Sequence, residues 1–370
     1  AALLARCLQS VFMGPSTSSG QHTPAMKMNM YMDDPIHVIR GTAGERRRLK
    51  ALIAYTYMML GFPMAFHKAA QGSMVDWIGV QLEILASAVR ATITQAKVDE
   101  LKALTEVMLS SNVISKVDLR SFVGKWQSAA SLLFALRPWI SELTAALHDS
   151  RPSNAAANCV WKQQIHHTLV WLQAFLNCQH GPIIRIFKVS SYFNQGSVIC
   201  IAMDASIFGM GAVLFIDRVA VEFFAIRIDK SDEKYLQAYH GDKDSQQVWE
   251  SMVLLVAVKH WLPRWQDTRM ALHLQSDNIA ALTLVAQLKA SGARRKIAKE
   301  LALVYSKATF DPDLVSHIPG VMNVTPDSLS RRYQSPNWRP PAALRGAKEV
   351  FPAKRNATWW LSRSPPCAST

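Results

Sequence analysis

From residue 197 onward the chain alternates strand and helix in an order that few folds accept. Residues 198–205 form a near-continuous apolar run ending in an acid, and 209–216 and 219–228 follow across short turns, so the three read as a meander. Residues 243–261 then carry apolar side chains at helical spacing. Strand 270–276, helices 278–289 and 293–308, strand 314–318 and the short helix 324–331 complete the segment. Three sequential strands followed by strand–helix alternation predict an α/β layer on one mixed sheet, because each helix must bury its apolar stripe against a sheet face.

Upstream the texture is different. Residues 1–12 are expected to be helical, and the Gly/Ser/Thr/Pro-rich stretch 14–24 ends that helix. Strands over 26–32 and 36–39 are expected to form a hairpin through Asp33-Asp34-Pro35. A helix over 45–60, a strand over 75–84, and helices over 94–109, 116–136, 138–147 and 159–177 follow, with 150–158 as a linker. The tail beyond Tyr333 contains Pro336, Pro340, Pro341, Pro352, Pro365 and Pro366 and is expected to be disordered.

Composition narrows the function class. With 49% hydrophobic and 18% charged residues the chain can bury sizeable cores, which excludes wholesale disorder. The net charge of +14 points to a polyanionic partner. That charge is unevenly spread: residues 1–197 hold 19 basic and 11 acidic side chains, 198–332 hold 16 and 15, and 333–370 hold 6 and 1. The flanks are therefore expected to supply most phosphate contacts, and carboxylates inside a nucleic-acid binder are a cue for metal chemistry. Five scattered cysteines without a C-x-x-C pair argue against a disulfide scaffold and a zinc site. The longest strongly apolar run, 51–66, is interrupted by Gly61-Phe62-Pro63 and is too short to span a membrane. An intracellular location, cytoplasmic or nuclear, is the expectation. The chain does not begin with Met and is expected to be part of a longer reading frame.

Four acids of the 198–332 segment stand apart from the solvated ones. Asp204 closes the first apolar strand, where a charge needs a partner. Glu250 falls on the helix stripe of Val253, Leu254, Ala257, Val258 and Trp261, the face turned to the sheet. Asp277 ends the strand 270–276, and Asp327 opens the last helix. Acids at the ends of adjacent elements can converge on one sheet edge, and oxygen-only ligation suits Mg²⁺ or Mn²⁺. Two such ions about 4 Å apart activate water and stabilise a leaving oxygen in phosphodiester hydrolysis. The bland reading of any one strand-end Asp is a cap or turn residue.

The strings "MDAS", "WE" within a long helix, "SDN" and "HIPGVMNVTPDSLSR" resemble, in that order, the RNase H domain of retroelement polyproteins. The resemblance covers about residues 197–332, and Pro326 stands where Ala is more usual. It implies an RNase H-like mixed sheet with Asp204, Glu250, Asp277 and Asp327 as metal ligands and catalytic acids. It also places the family's mobile-loop His at His317, ten residues before the last acid, as a proton shuttle or an aid to product release. The competing reading of His317 is a strand-end His bonded to backbone.

The N-terminal strings have a parallel resemblance. Tyr31-Met32-Asp33-Asp34, then "LGFPMAFHKAAQG" and "WIGVQLEI", resemble retrotransposon reverse transcriptases after their Y-x-D-D hairpin. That match implies a metal-binding role for Asp33 and Asp34, a pyrophosphate-release role for Lys68, and a primer-grip strand over 77–84. Its bland alternative for Lys68 is a snorkelling surface Lys. Polymerase chemistry needs a third palm carboxylate, and residues 1–32 contain no Asp or Glu.

The expected architecture is thus a truncated palm over 1–85 (α+β), a helical thumb/connection over 86–190, an RNase H-like nuclease over 197–332 and a basic Pro-rich tail. The expected activity is two-metal hydrolysis of the RNA strand of RNA–DNA hybrids, with a polymerase part inactive alone. Expected partners are such hybrids and primer-template nucleic acid, and no membrane. The rival is a non-catalytic nucleic-acid-binding remnant of a retroelement.

Overall fold

A computed structural model describes residues 26–31, 34–149, 156–181, 183–188, 197–264, 271–307 and 314–364. The helix expected over 1–12 lies outside the described residues. The chain divides into two compact units, Ala1–Glu83 and Ile84–Thr370.

In the first unit β1 (Met26–Tyr31) and β2 (Asp34–Ile39) pair antiparallel, Tyr31 opposite Asp34. Helix α1 (Ala43–Met59) starts at Thr42 with a capping box, in which the Thr42 and Glu45 side chains each accept from the other's backbone N–H. Its Ile53 and Tyr57 bury against Met26 and Met28. Residues 75–84, expected as one strand, instead form a hairpin of β3 (Met74–Trp77) and β4 (Val80–Ile84). The turn is Ile78-Gly79, at φ 46° and 80°. Two successive positive φ values make the tight turn that fits strand twist, but a β-branched Ile in that region conceals it from a reading by residue type.

The second unit opens with β5 (Ala88–Ile93), α2 (Gln95–Ser110), β6 (Val113–Ser115), α3 (Lys116–Leu132) and α4 (Arg137–Leu147). It continues with β7 (Cys159–Trp161), α5 (Lys162–Leu176) and β8 (Ile184–Lys188). The helix expected from residue 159 therefore opens with a short strand, which pairs with β6; β5 pairs with β8.

Then come β9 (Val198–Ala205), β10 (Gly209–Ile216), β11 (Val219–Arg227), α6 (Lys230–Leu236), α7 (Gln246–Trp261) and β12 (Ala271–Ser276). Helices α8 (Ile279–Gln287) and α9 (Arg294–Lys307), β13 (Leu314–His317), α10 (Val324–Ser330) and β14 (Lys348–Glu349) complete the chain. The sheet order is β13-β12-β9-β10-β11-β14. β10 runs antiparallel to both β9 and β11, whereas β12, β13 and β14 each add parallel to their neighbour. A meander extended by parallel strands through helical crossovers is the single mixed α/β sheet that the sequence pattern predicted. Helix α7 is buried nearly all round, from Trp249 to Trp261, which fixes it as the central helix of this layer.

The helical segment before residue 197 shares its core with the sheet layer: Trp139, Leu143, Ile165 and Leu169 belong to one apolar cluster with Ile297, Ala298 and Leu301. Lys299 of α9 pairs with Glu142 of α4, which also accepts from the Thr168 hydroxyl of α5. The tail is also ordered as far as residue 364. Val350 N–H donates to the Phe223 carbonyl at 2.8 Å, Arg355 bonds Asp232, and Trp360 is buried against Tyr235. Proline content suggested disorder, but Leu344, Val350 and Trp360 supply apolar anchors whose burial outweighs the lost chain entropy.

Candidate metal centre

Parallel pairing of β9 and β12 brings two acids side by side. Ala202 is registered with Gln275, so two residues further along each chain lie Asp204 and Asp277. Asp204 is buried at the end of β9, and Asp277 is half-buried just past β12. Glu250 comes from the first turns of α7 and is buried. One carboxylate oxygen each of Asp204, Glu250 and Asp277 lie within 4.8 Å of one another.

Local hydrogen bonds aim these groups. Glu250 accepts from Ala205 N–H at 3.3 Å and from Gln246 Nε2 at 2.9 Å, while Gln246 also donates to the Ala205 carbonyl. Gln246 thus ties the helix to the strand end. Gly320 lies over Asp277: a Cβ there would sit 3.1 Å from Asp277 Oδ2. A glycine lets that loop backbone approach the carboxylate.

The electrostatics are those of an acidic cluster that the nearby Arg331 charge offsets only in part, at Asp204. Burial, opposed by the Ser330 hydroxyl and reinforced by Asp277 and Asp327, pushes the Asp204 carboxyl up to about 7. Burial and then the Asp204 charge hold Glu250 well above the ordinary carboxylate range. Among the described residues no Lys or Arg forms an ion pair with Asp204, Glu250 or Asp277. Buried carboxylates without a cationic partner are costly unless protonated or bound to a cation. Oxygen-only donors of this kind fit a hard divalent ion, so the three residues can hold a metal.

The fourth expected acid is placed differently. Asp327 sits in the first turn of α10, near enough for its charge to raise Asp204, but outside the three-carboxylate cluster. Arg331 Nε donates to Asp327 Oδ1 at 2.7 Å. His317 is exposed at the end of β13, with Nε2 3.1 Å from the Asp277 carbonyl oxygen. It therefore shows the backbone bond of the bland reading while standing next to the cluster.

Several site residues had no role in the sequence reading. Gln246 is one, and its position four before Glu250 was the available signal. Asn323, buried, donates from Nδ2 to the Met203 carbonyl at 3.1 Å and so pins the start of α10 to β9. Gly209 and Gly211 on β10 are the others. Paired glycines inside a strand mark a close backbone approach, here by α10.

In the first unit, Asp34 is exposed where β2 begins and Lys68 is exposed in the single turn Phe66–Lys68. Asp33 lies outside the described residues, and the backbone of Tyr31 faces Asp34 in the hairpin. Trp77 Nε1 donates to the Asp34 carbonyl at 3.1 Å, which joins the strand expected as primer grip to the hairpin. No hydrogen bond or ion pair between Lys68 and Asp34 is present among the described residues. No helix among the described residues is long and apolar enough to cross a membrane.

No protein-family model and no curated protein matches this chain. Solved structures do. Similar to it is a foamy viral protease-reverse transcriptase in complex with dsDNA, 14% identical with a TM-score of 0.35, over 86% of this chain and 58% of that one. The same viral protein in complex with RNA/DNA hybrid is 13% identical with a TM-score of 0.35, over 79% of this chain and 35% of that one. The chain spans less than two thirds of either solved chain, and its functional reading rests on its own geometry.

Proposed function

We propose that the second unit is a divalent-metal-dependent nuclease that hydrolyses the RNA strand of RNA–DNA hybrids, as part of a retroelement reverse transcriptase. The observation that carries this reading is the convergence of Asp204, Glu250 and Asp277 at the carbonyl ends of two parallel strands. Asp204, Glu250 and Asp277, with Asp327 beside them, would hold Mg²⁺ or Mn²⁺. Held there, two such ions would lower the pKa of a bound water and offset the charge on the leaving oxygen. The carboxylates would orient a scissile phosphate by fixing where positive charge sits, and His317, whose Nε2 lies 3.1 Å from the Asp277 carbonyl oxygen, would take or return a proton there. Shape and 2′-OH contacts would select a hybrid without base reading.

The rival, a non-catalytic nucleic-acid-binding remnant, has one observation in its favour: Asp327 is engaged by Arg331 and is not one of the three clustered carboxylates. Incubating the full chain with a labelled hybrid and Mg²⁺ separates the two. The nuclease reading expects RNA-strand cleavage that Asp204→Asn abolishes; the remnant reading expects binding alone.

A further inference from the structure

Asp327 cannot reach the other three carboxylates by moving its helix. The backbone of α10 lies against β10 so closely that a Cβ on Gly211 would sit 2.7 Å from Ser330 N and 2.8 Å from the Pro326 carbonyl. Asn323 bonds the Met203 carbonyl at one end of the helix, and the Ser206 hydroxyl donates to the Ser330 carbonyl at the other, 2.9 Å away. With the backbone fixed, what remains free is rotation of the Asp327 side chain. Arg331, one turn along, is the group that restrains it, at 2.7 Å. Both members are open to solvent, at 57% and 42% side-chain exposure.

We propose that Arg331 is a latch released by phosphate. In the free protein it holds Asp327 out of the cluster; a backbone phosphate of bound nucleic acid takes over its guanidinium, and Asp327 turns in to complete the cation site. The inference rests on the metal-centre reading above. Its chemistry is an exchange of like for like. The planar guanidinium fork accepts carboxylate or phosphate oxygens in the same paired geometry, so one charge-assisted contact replaces another. An exposed ion pair is weak, so a bound phosphate can displace it. Full assembly of the cation site would then await substrate. The simpler role for the pair is an i,i+4 contact that steadies a short helix.

Mn²⁺ binding to the full chain, followed by calorimetry without nucleic acid, tells these apart. Arg331→Gln should tighten Mn²⁺ about two- to five-fold, the factor that an exposed pair of up to roughly 1 kcal/mol corresponds to. The gain should shrink in an Asp327→Asn background to the part that the Arg331 charge exerts directly on Asp204, and in a parallel titration it should vanish in the presence of a saturating 2′-O-methyl hybrid. Arg331→Lys, which keeps the charge, should fall between. Equal Mn²⁺ affinities for wild type and Arg331→Gln would overturn the latch. So would a gain that persists undiminished with Asp327→Asn, since that is only the loss of a nearby positive charge. A folded wild-type chain that binds no Mn²⁺ at all would sink the metal centre as well as the latch.

Discussion

Gly211 stands directly opposite Asp204 in the β9–β10 ladder, and the space its missing side chain leaves is filled by the backbone of α10. One position therefore sets the distance between the strand that carries the first acid and the helix that carries the last. Gly211→Ala should push α10 outward, because the groups it would strike are α10 backbone atoms and the Leu329 Cβ, none of which can rotate away. The expected cost is about 1–3 kcal/mol, the range for overpacking a filled core. Denaturant unfolding should show that loss, and Mn²⁺ affinity should fall with it. A variant as stable and as tight as wild type would mean that α10 does not depend on the glycine.

A second expectation concerns pH. Asp204 titrates near 7 and Glu250 well above the ordinary carboxylate range, both raised chiefly by burial. Folded values above unfolded ones mean that the Asp204 contribution to stability is full below about pH 4 and is lost as pH rises through about 7, and that the Glu250 contribution is likewise lost with rising pH. Metal-free protein should therefore melt lower at pH 8 than at pH 5.5, and Asp204→Asn should flatten that dependence. Mg²⁺ should raise Tm more at pH 8, where the carboxylates are charged and free to bind it. Parallel Tm–pH curves for wild type and Asp204→Asn would contradict the cluster's electrostatics.

Much of this was legible in the sequence. Asp204, Asp277 and Glu250 could be singled out because each is a charge where the local pattern demands burial, and the meander followed by strand–helix alternation fixed the sheet. What stayed hidden was specified by distant partners. β5 and β8 are short strands that pair Ala88 with Lys188 across a hundred residues, and neither has a strong pattern of its own. The order of the tail depends on Trp360 and Arg355 meeting Tyr235 and Asp232, contacts that no local composition encodes. The pairing of Asp327 with Arg331 was open to view at i,i+4, but nothing in the spacing says that it competes with a metal site.

The shared core predicts where the chain can be cut. Protein beginning at residue 84 should unfold in one cooperative transition. Protein beginning at residue 197 exposes Ile297, Ala298 and Leu301 and leaves Lys299 without Glu142, so it should lose that transition. Lys299→Met in the full chain should cost roughly 2–3 kcal/mol, somewhat below the loss of one partner from a fully buried pair, since Glu142 is only partly buried. Circular dichroism melts check both. A well-folded, cooperative 197–370 fragment would show that the helical segment is an independent domain.

Cleavage of the RNA strand in an RNA–DNA hybrid tests the central claim most directly. With Mg²⁺ or Mn²⁺ the wild-type chain should cut, leaving 5′-phosphate and 3′-hydroxyl ends. Asp204→Asn and Asp277→Asn should each cut at least about 100-fold more slowly while remaining folded, because each removes charge that holds the cation. A folded wild-type chain that leaves the hybrid intact in both metals, or mutants that cut as fast as wild type, would contradict the account.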